Sequence, residues 1–124
     1  MQADGGTRTA SINGGMVALA LALERLQADG VLASSPLKHT IVAVSLGLVG
    51  PDAYLDLDYL EDVAADVDMN VIMTASGNLV EVQGTAEGEP FPRRGLDNLL
   101  DLAAKGCADI AVAMREVEGL GNLP

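Results

Sequence analysis

A chain of 124 residues has the length of one domain and can bury a core of its own. With 49% hydrophobic but only 2% aromatic residues, that core must be aliphatic. A formal charge of −11 argues against nonspecific binding to nucleic acid or membrane surfaces, and a single cysteine, Cys107, excludes an intrachain disulfide or a cysteine metal quartet.

The opening residues carry neither a basic nor an apolar leader segment, so no signal peptide is expected. The longest apolar run, residues 16–23, is shorter than the roughly 20 residues that span a bilayer. Together with the lone cysteine this predicts a soluble, cytoplasmic protein without a membrane partner.

The first predicted element is a helix over about 12–28, entered from a glycine turn. Met16, Leu19, Ala20, Leu23 and Leu26 recur at helical spacing, and Val17, Ala18, Leu21 and Ala22 make most of the remaining surface apolar too. Such a helix is buried on several sides or docks a partner. Asp29-Gly30 stops it in the manner of a glycine C-cap.

Residues 40–49 are rich in β-branched and aliphatic side chains, which predicts a fully buried strand. Gly50-Pro51-Asp52 turns the chain into an alternating segment, 53–58, with Leu55 and Leu57 on one face and Tyr54, Asp56 and Asp58 on the other. A strand over 67–74 then turns at Ser76-Gly77-Asn78 into a hairpin strand over 79–83. The last element is a long helix whose stripe is Leu96, Leu99, Leu100, Ala103, Cys107, Ile110, Met114 and Val117. Gly106 weakens it by about 1 kcal/mol without breaking it. Residues 118–124 are expected to fray. The order predicts a single α+β domain over 1–124, a two-layer sandwich of two long helices on a mostly antiparallel four-stranded sheet.

Three stretches have residues suited to chemistry. Asp4-Gly5-Gly6-Thr7-Arg8-Thr9-Ala10-Ser11 lies just before the helix. Its glycines allow close approach of an anion, the helix offers its positive end, and Arg8 offers a fork of donors. On spacing alone it is also a glycine turn with a Ser/Thr cap and a surface arginine. Asp56, Asp58, Glu61, Asp62, Asp66 and Asp68 offer hard oxygens of the kind Mg²⁺ takes, with Asn70 on Asp68's strand face; an acidic, solvated rim reads equally from the pattern. Residues 83–90 form a tight glycine loop, either a wall of a site or simply a turn. His39 and Cys107 are expected to be structural, and Arg93-Arg94 a surface feature.

The run Gln2-Ala3-Asp4-Gly5-Gly6-Thr7-Arg8-Thr9-Ala10-Ser11, then Asp58-Tyr59-Leu60-Glu61-Asp62, Asp68-Met69-Asn70-Val71 and Glu81-Val82-Gln83-Gly84-Thr85-Ala86-Glu87-Gly88, resembles the ribonuclease PH family in order and spacing. The resemblance covers nearly the whole chain, from Gln2 to Val117. It implies the second of two similar α/β halves, that is, half of a ribonuclease PH / ribosomal protein S5 domain 2-like fold. It also implies phosphate-dependent 3′→5′ removal of nucleotides from RNA ends such as transfer-RNA precursors, by a reversible nucleotidyl transfer that releases nucleoside diphosphates. By that resemblance Gly6, Thr7 and Arg8 hold inorganic phosphate, while Asp62 and Asp68 hold Mg²⁺ and assist proton transfer. The family's first half carries a further phosphate-binding arginine and much of the basic RNA path, so the chain is expected to be incomplete for this chemistry by itself, with a missing N-terminal half or further copies in a homo-oligomer as the expected partners. Two other readings stay open, a non-catalytic oligomerisation module and a phosphate-binding domain without turnover.

Overall fold

The computed structural model describes residues 6–56 and 65–124. Helix α1 (Thr7–Ala28) is followed by strands β1 (Ile41–Val49), β2 (Asp52–Leu55), β3 (Val67–Thr74) and β4 (Leu79–Ala86), then helix α2 (Arg93–Arg115). The strands form one sheet in the order β2-β1-β3-β4 with every neighbour antiparallel. The predicted α+β sandwich of two helices on a four-stranded sheet is therefore the observed architecture. No helix among the described residues is long and apolar enough to cross a membrane.

The core lies between the sheet and α2. Val42, Val44 and Leu46 of β1 meet Val67, Met69 and Val71 of β3 and Leu99, Ala103, Cys107, Ala111 and Met114 of α2. Period-2 alternation places these strand residues on one face, and 3.6-residue periodicity lines up the helix residues. Gly106 has a packing role that its propensity cost conceals. A Cβ there would stand 3.0 and 3.1 Å from the Leu55 methyls and 3.3 Å from Val44, so its absence lets α2 lie close to β1 and β2. Burial pushes the Cys107 thiol up to about 11 from an ordinary value of 9.0. The fold favours the protonated form, so this contribution is complete below pH 9 and is lost as the pH rises from 9 towards 11. A Cys107→Ala chain compared with the parent by urea unfolding should show a smaller loss of stability across that window.

Helix α1 departs from its expected packing. Thr9, Met16 and Ala20 are its buried residues, and with Asn13 they form a line at spacings of four, three and four. Leu19, Leu21 and Leu26 are exposed, Leu19 at 50%. The helix meets the sheet along a strand edge, and an edge contact covers only a narrow stripe. Strand β2 pairs only with the last four residues of β1, from Leu46 to Val49. The backbone groups of β1 before that point need other partners. Asn13 supplies them: its Nδ2 donates to the Ala43 carbonyl and its Oδ1 accepts the Ala43 N–H, both at 2.8 Å. Met16 Sδ accepts the Ile41 N–H at 3.5 Å. Asn13→Ala should cost about 1–3 kcal/mol, measured as a lower urea midpoint, because it strands a part-buried donor and acceptor together.

The tail expected to fray is packed instead. Leu120 is 3% exposed within the core, and Thr40 Oγ1 donates to the Pro124 carbonyl at 2.6 Å. Strand β4 forms the outer edge of the sheet and leaves Leu79, Val80 and Val82 exposed.

Candidate phosphate-binding site

Of the predicted anion-binding run, Thr7 to Ser11 already belong to α1, which does not wait until after Ser11, while Asp4 and Gly5 lie outside the described residues. Gly6 is the N-cap, in the left-handed region at φ 85. A Cβ at Gly6 would meet Asp56 Oδ1 at 3.3 Å and Ser45 Cβ at 3.4 Å, so both backbone angle and space select glycine. The Gly6 carbonyl accepts the Ala10 N–H at 2.9 Å and the buried Thr9 hydroxyl at 2.8 Å, which fixes the helix start. Ser11 Oγ donates to the Thr7 carbonyl at 2.8 Å. The N-cap Gly6 has no side chain to offer and no acidic residue occupies the first turn, so the positive end of the helix dipole favours an anion nearby.

The sheet places Arg8 and Asp68 on one face. Ser45, beside Gly6, pairs with Asn70 of β3, and Asn70 pairs with Gln83 of β4. Directly paired residues share a face. Arg8 reaches from the helix start to the far end of this row, where Nη1 donates to Gln83 Oε1 at 3.1 Å. Its Nη2 donates to the Glu81 carboxylate at 3.1 and 3.2 Å. Asp68 belongs to the neighbouring row, Gly47–Asp68–Thr85, about 7 Å along β3 from Asn70. It is half-buried. Gly6, the Arg8 guanidinium and Asp68 thus lie over the same face of the sheet.

Other expected site residues fall elsewhere. Asp62 lies outside the described residues, as do Asp58 and Glu61. Asp66, one of the candidate metal carboxylates, precedes β3, and its Oδ2 accepts the Gly50 N–H at 2.7 Å, bracing the β1–β2 turn. Asp56 also leaves its expected strand. It sits at φ 54 beside Gly6, and its N–H donates to the Ser45 carbonyl at 2.7 Å. A cleft of about 390 Å³ opens there, between Gly6, Asn13, Ser45, Asp56 and Asp109. The stretch from Gln83, read as a loop, continues β4 to Ala86. His39 is exposed and outside the core. Sequence reasoning assigned no role to Glu81; its alternation with Gln83 and Thr85 on one strand face was the available signal.

Among the described residues no group of three or more His, Cys, Asp or Glu side chains forms a metal cage. Mg²⁺ does not require one, since it commonly takes one or two carboxylates and completes its shell with waters and substrate phosphates. A half-buried Asp68 on the arginine face fits that requirement.

A helix N-terminus, an arginine and a carboxylate on one sheet face are the kind of groups that suit a phosphate-bearing ligand. Residues 39–106 match the family described as the 3′ exoribonuclease family, domain 2. The chain belongs to that family. It is 56% identical over 119 residues to a protein named ribonuclease PH from Moorella thermoacetica, an alignment covering 96% of this chain and 48% of the relative. The chain therefore spans about half the length of that curated relative. In fold it is similar to rice (Oryza sativa) Rrp46, with TM-score 0.67 at 19% identity over 94% of this chain and 49% of that one. It is also similar to an archaeal exosome core chain, with TM-score 0.58 at 21% identity over 66% of this chain and 33% of the other.

Proposed function

We propose that this chain supplies the phosphate-binding and metal-binding half of a phosphorolytic 3′→5′ exoribonuclease, acting in the cytoplasm on RNA 3′ ends such as transfer-RNA precursors. The observation that carries the reading is the placement of Arg8 and Asp68 over one sheet face beside the start of α1. Phosphoryl transfer depends chiefly on positioning anions and neutralising charge, and these are the parts present.

In the proposed reaction an oxygen of inorganic phosphate attacks the phosphorus of the terminal phosphodiester. The penultimate 3′ oxygen leaves and takes up a proton, and a nucleoside diphosphate is released. Gly6 admits the phosphate close to backbone N–H groups at the start of α1. Arg8 neutralises and orients it. Asp68, with Asp62, would hold Mg²⁺, whose chemistry here is the neutralisation of phosphate charge. The same two carboxylates are suited to assist proton transfer.

The net charge of −11 is unfavourable for an RNA path on this chain alone. The exposed leucines of α1 offer an apolar surface for a further polypeptide, either the complementary half or another copy. Arg8→Ala tests the site itself. It should weaken inorganic phosphate binding by about 1–3 kcal/mol, the usual worth of a hydrogen bond to a charged group. A phosphate titration unchanged by the substitution would remove Arg8 from the site.

A further inference from the structure

The Arg8 guanidinium is held by two β4 residues of different charge. Gln83 accepts from Nη1 through a neutral amide oxygen at 3.1 Å, whereas Glu81 meets Nη2 with both carboxylate oxygens at 3.1 and 3.2 Å. The two partners stand two residues apart on the same strand, so they grip the guanidinium from one side. These bonds engage the two terminal nitrogens. They leave the Nε–H and one Nη1 hydrogen without a partner among the described residues. An arriving phosphate therefore meets an arginine that is already oriented and already neutralised. Phosphate and the Glu81 carboxylate repel each other and contend for the same guanidinium charge. The side chains of the pair are 50% and 40% exposed, a setting in which an ion pair is weak and can be given up.

We propose that Glu81 is an internal competitor for Arg8 and that Gln83 is its neutral positioning partner, so that the two together set the phosphate affinity of the site. This rests on Arg8 being a phosphate ligand. Neither β4 residue needs to touch the reacting atoms, so both act through Arg8 as positioning residues.

The test is a titration of the isotope-labelled chain with inorganic phosphate, following the amide resonances of residues 7–10 by NMR. Glu81→Gln should bind phosphate about two- to fivefold more tightly than the parent, the range expected for losing an exposed ion pair. Gln83→Ala should bind it more weakly. The gain from Glu81→Gln should vanish in an Arg8→Ala background. If both single substitutions weaken binding, or Glu81→Gln leaves it unchanged, Glu81 does not compete. A gain of the same size in the Arg8→Ala background would mean that only the overall charge had changed, which also overturns the proposal. Either result leaves Arg8 as a phosphate ligand. If phosphate moves no resonance of residues 7–10 in the parent or in Glu81→Gln, the assignment of Arg8 fails, and the competition fails with it.

Discussion

Asp68→Asn is expected to lower Mg²⁺-stimulated phosphorolysis by about 100-fold or more while leaving the fold in place. The substitution keeps the size and much of the hydrogen-bonding capacity of the side chain but removes the charge that attracts a divalent cation. Losing one preorganised electrostatic contact to a transition state costs about 10²–10³ in rate, and losing a metal ligand should do no less. Asp68 is only half-buried, near the start of β3 and away from the packed face, so thermal stability should change by less than about 1 kcal/mol. The assay is release of nucleoside diphosphates from a short RNA. It uses this chain combined with the part of the Moorella thermoacetica relative that this chain does not match. Full metal stimulation in the mutant would remove Asp68 as a ligand. A collapse of rate accompanied by unfolding would instead make it structural.

Leu46→Ala should produce the largest loss of stability, about 2–5 kcal/mol, read as a lower urea midpoint with an unchanged slope. Leu46 is fully buried at the centre of β1, pairing with Leu55 of β2 on one side and Met69 of β3 on the other. Its side chain belongs to the α2 face, while its neighbour Ser45 faces the phosphate site. The cavity would therefore weaken the strand that connects the core to the site. Met69 is flexible enough to fill part of the space, which favours the lower half of the range. A cost below about 1 kcal/mol would mean that the sheet collapses around the cavity without strain.

These two positions illustrate how far the sequence could be read. Leu46 lies in an aliphatic run whose composition alone marks a buried strand, and the apolar stripe of α2 follows directly from 3.6-residue periodicity. The same rule overstated the burial of α1. Periodicity shows which residues share a face, but it is blind to what the face meets, and here the helix lies along a strand edge that Asn13 and Met16 complete. The tail also escaped, because its anchors, the Leu120 side chain and the bond from Thr40 to Pro124, join residues far apart in sequence.

In the site, the glycine turn and Arg8 stood out by residue type, and the resemblance supplied roles for them. The partners of Arg8 did not, since Glu81 and Gln83 are 73 and 75 residues away and only the sheet register brings them near. Asp66 and Asp56 show the converse. Both belong to an acidic cluster that reads as a metal site, yet one braces a turn and the other adopts a left-handed angle beside Gly6. Carboxylate spacing along a chain says little about convergence when turns intervene. Gly106 likewise reads as a propensity cost until the approach of α2 to Leu55 and Val44 is known.

The most direct measurement is the chemical identity of the nucleotide released from the RNA 3′ end by the combined halves, with and without inorganic phosphate. The expected product is nucleoside diphosphate, formed only when phosphate is present and lost with Arg8→Ala. Release of nucleoside monophosphate, or release that is indifferent to phosphate, would mean that water is the nucleophile and that the site at the start of α1 serves something other than phosphorolysis.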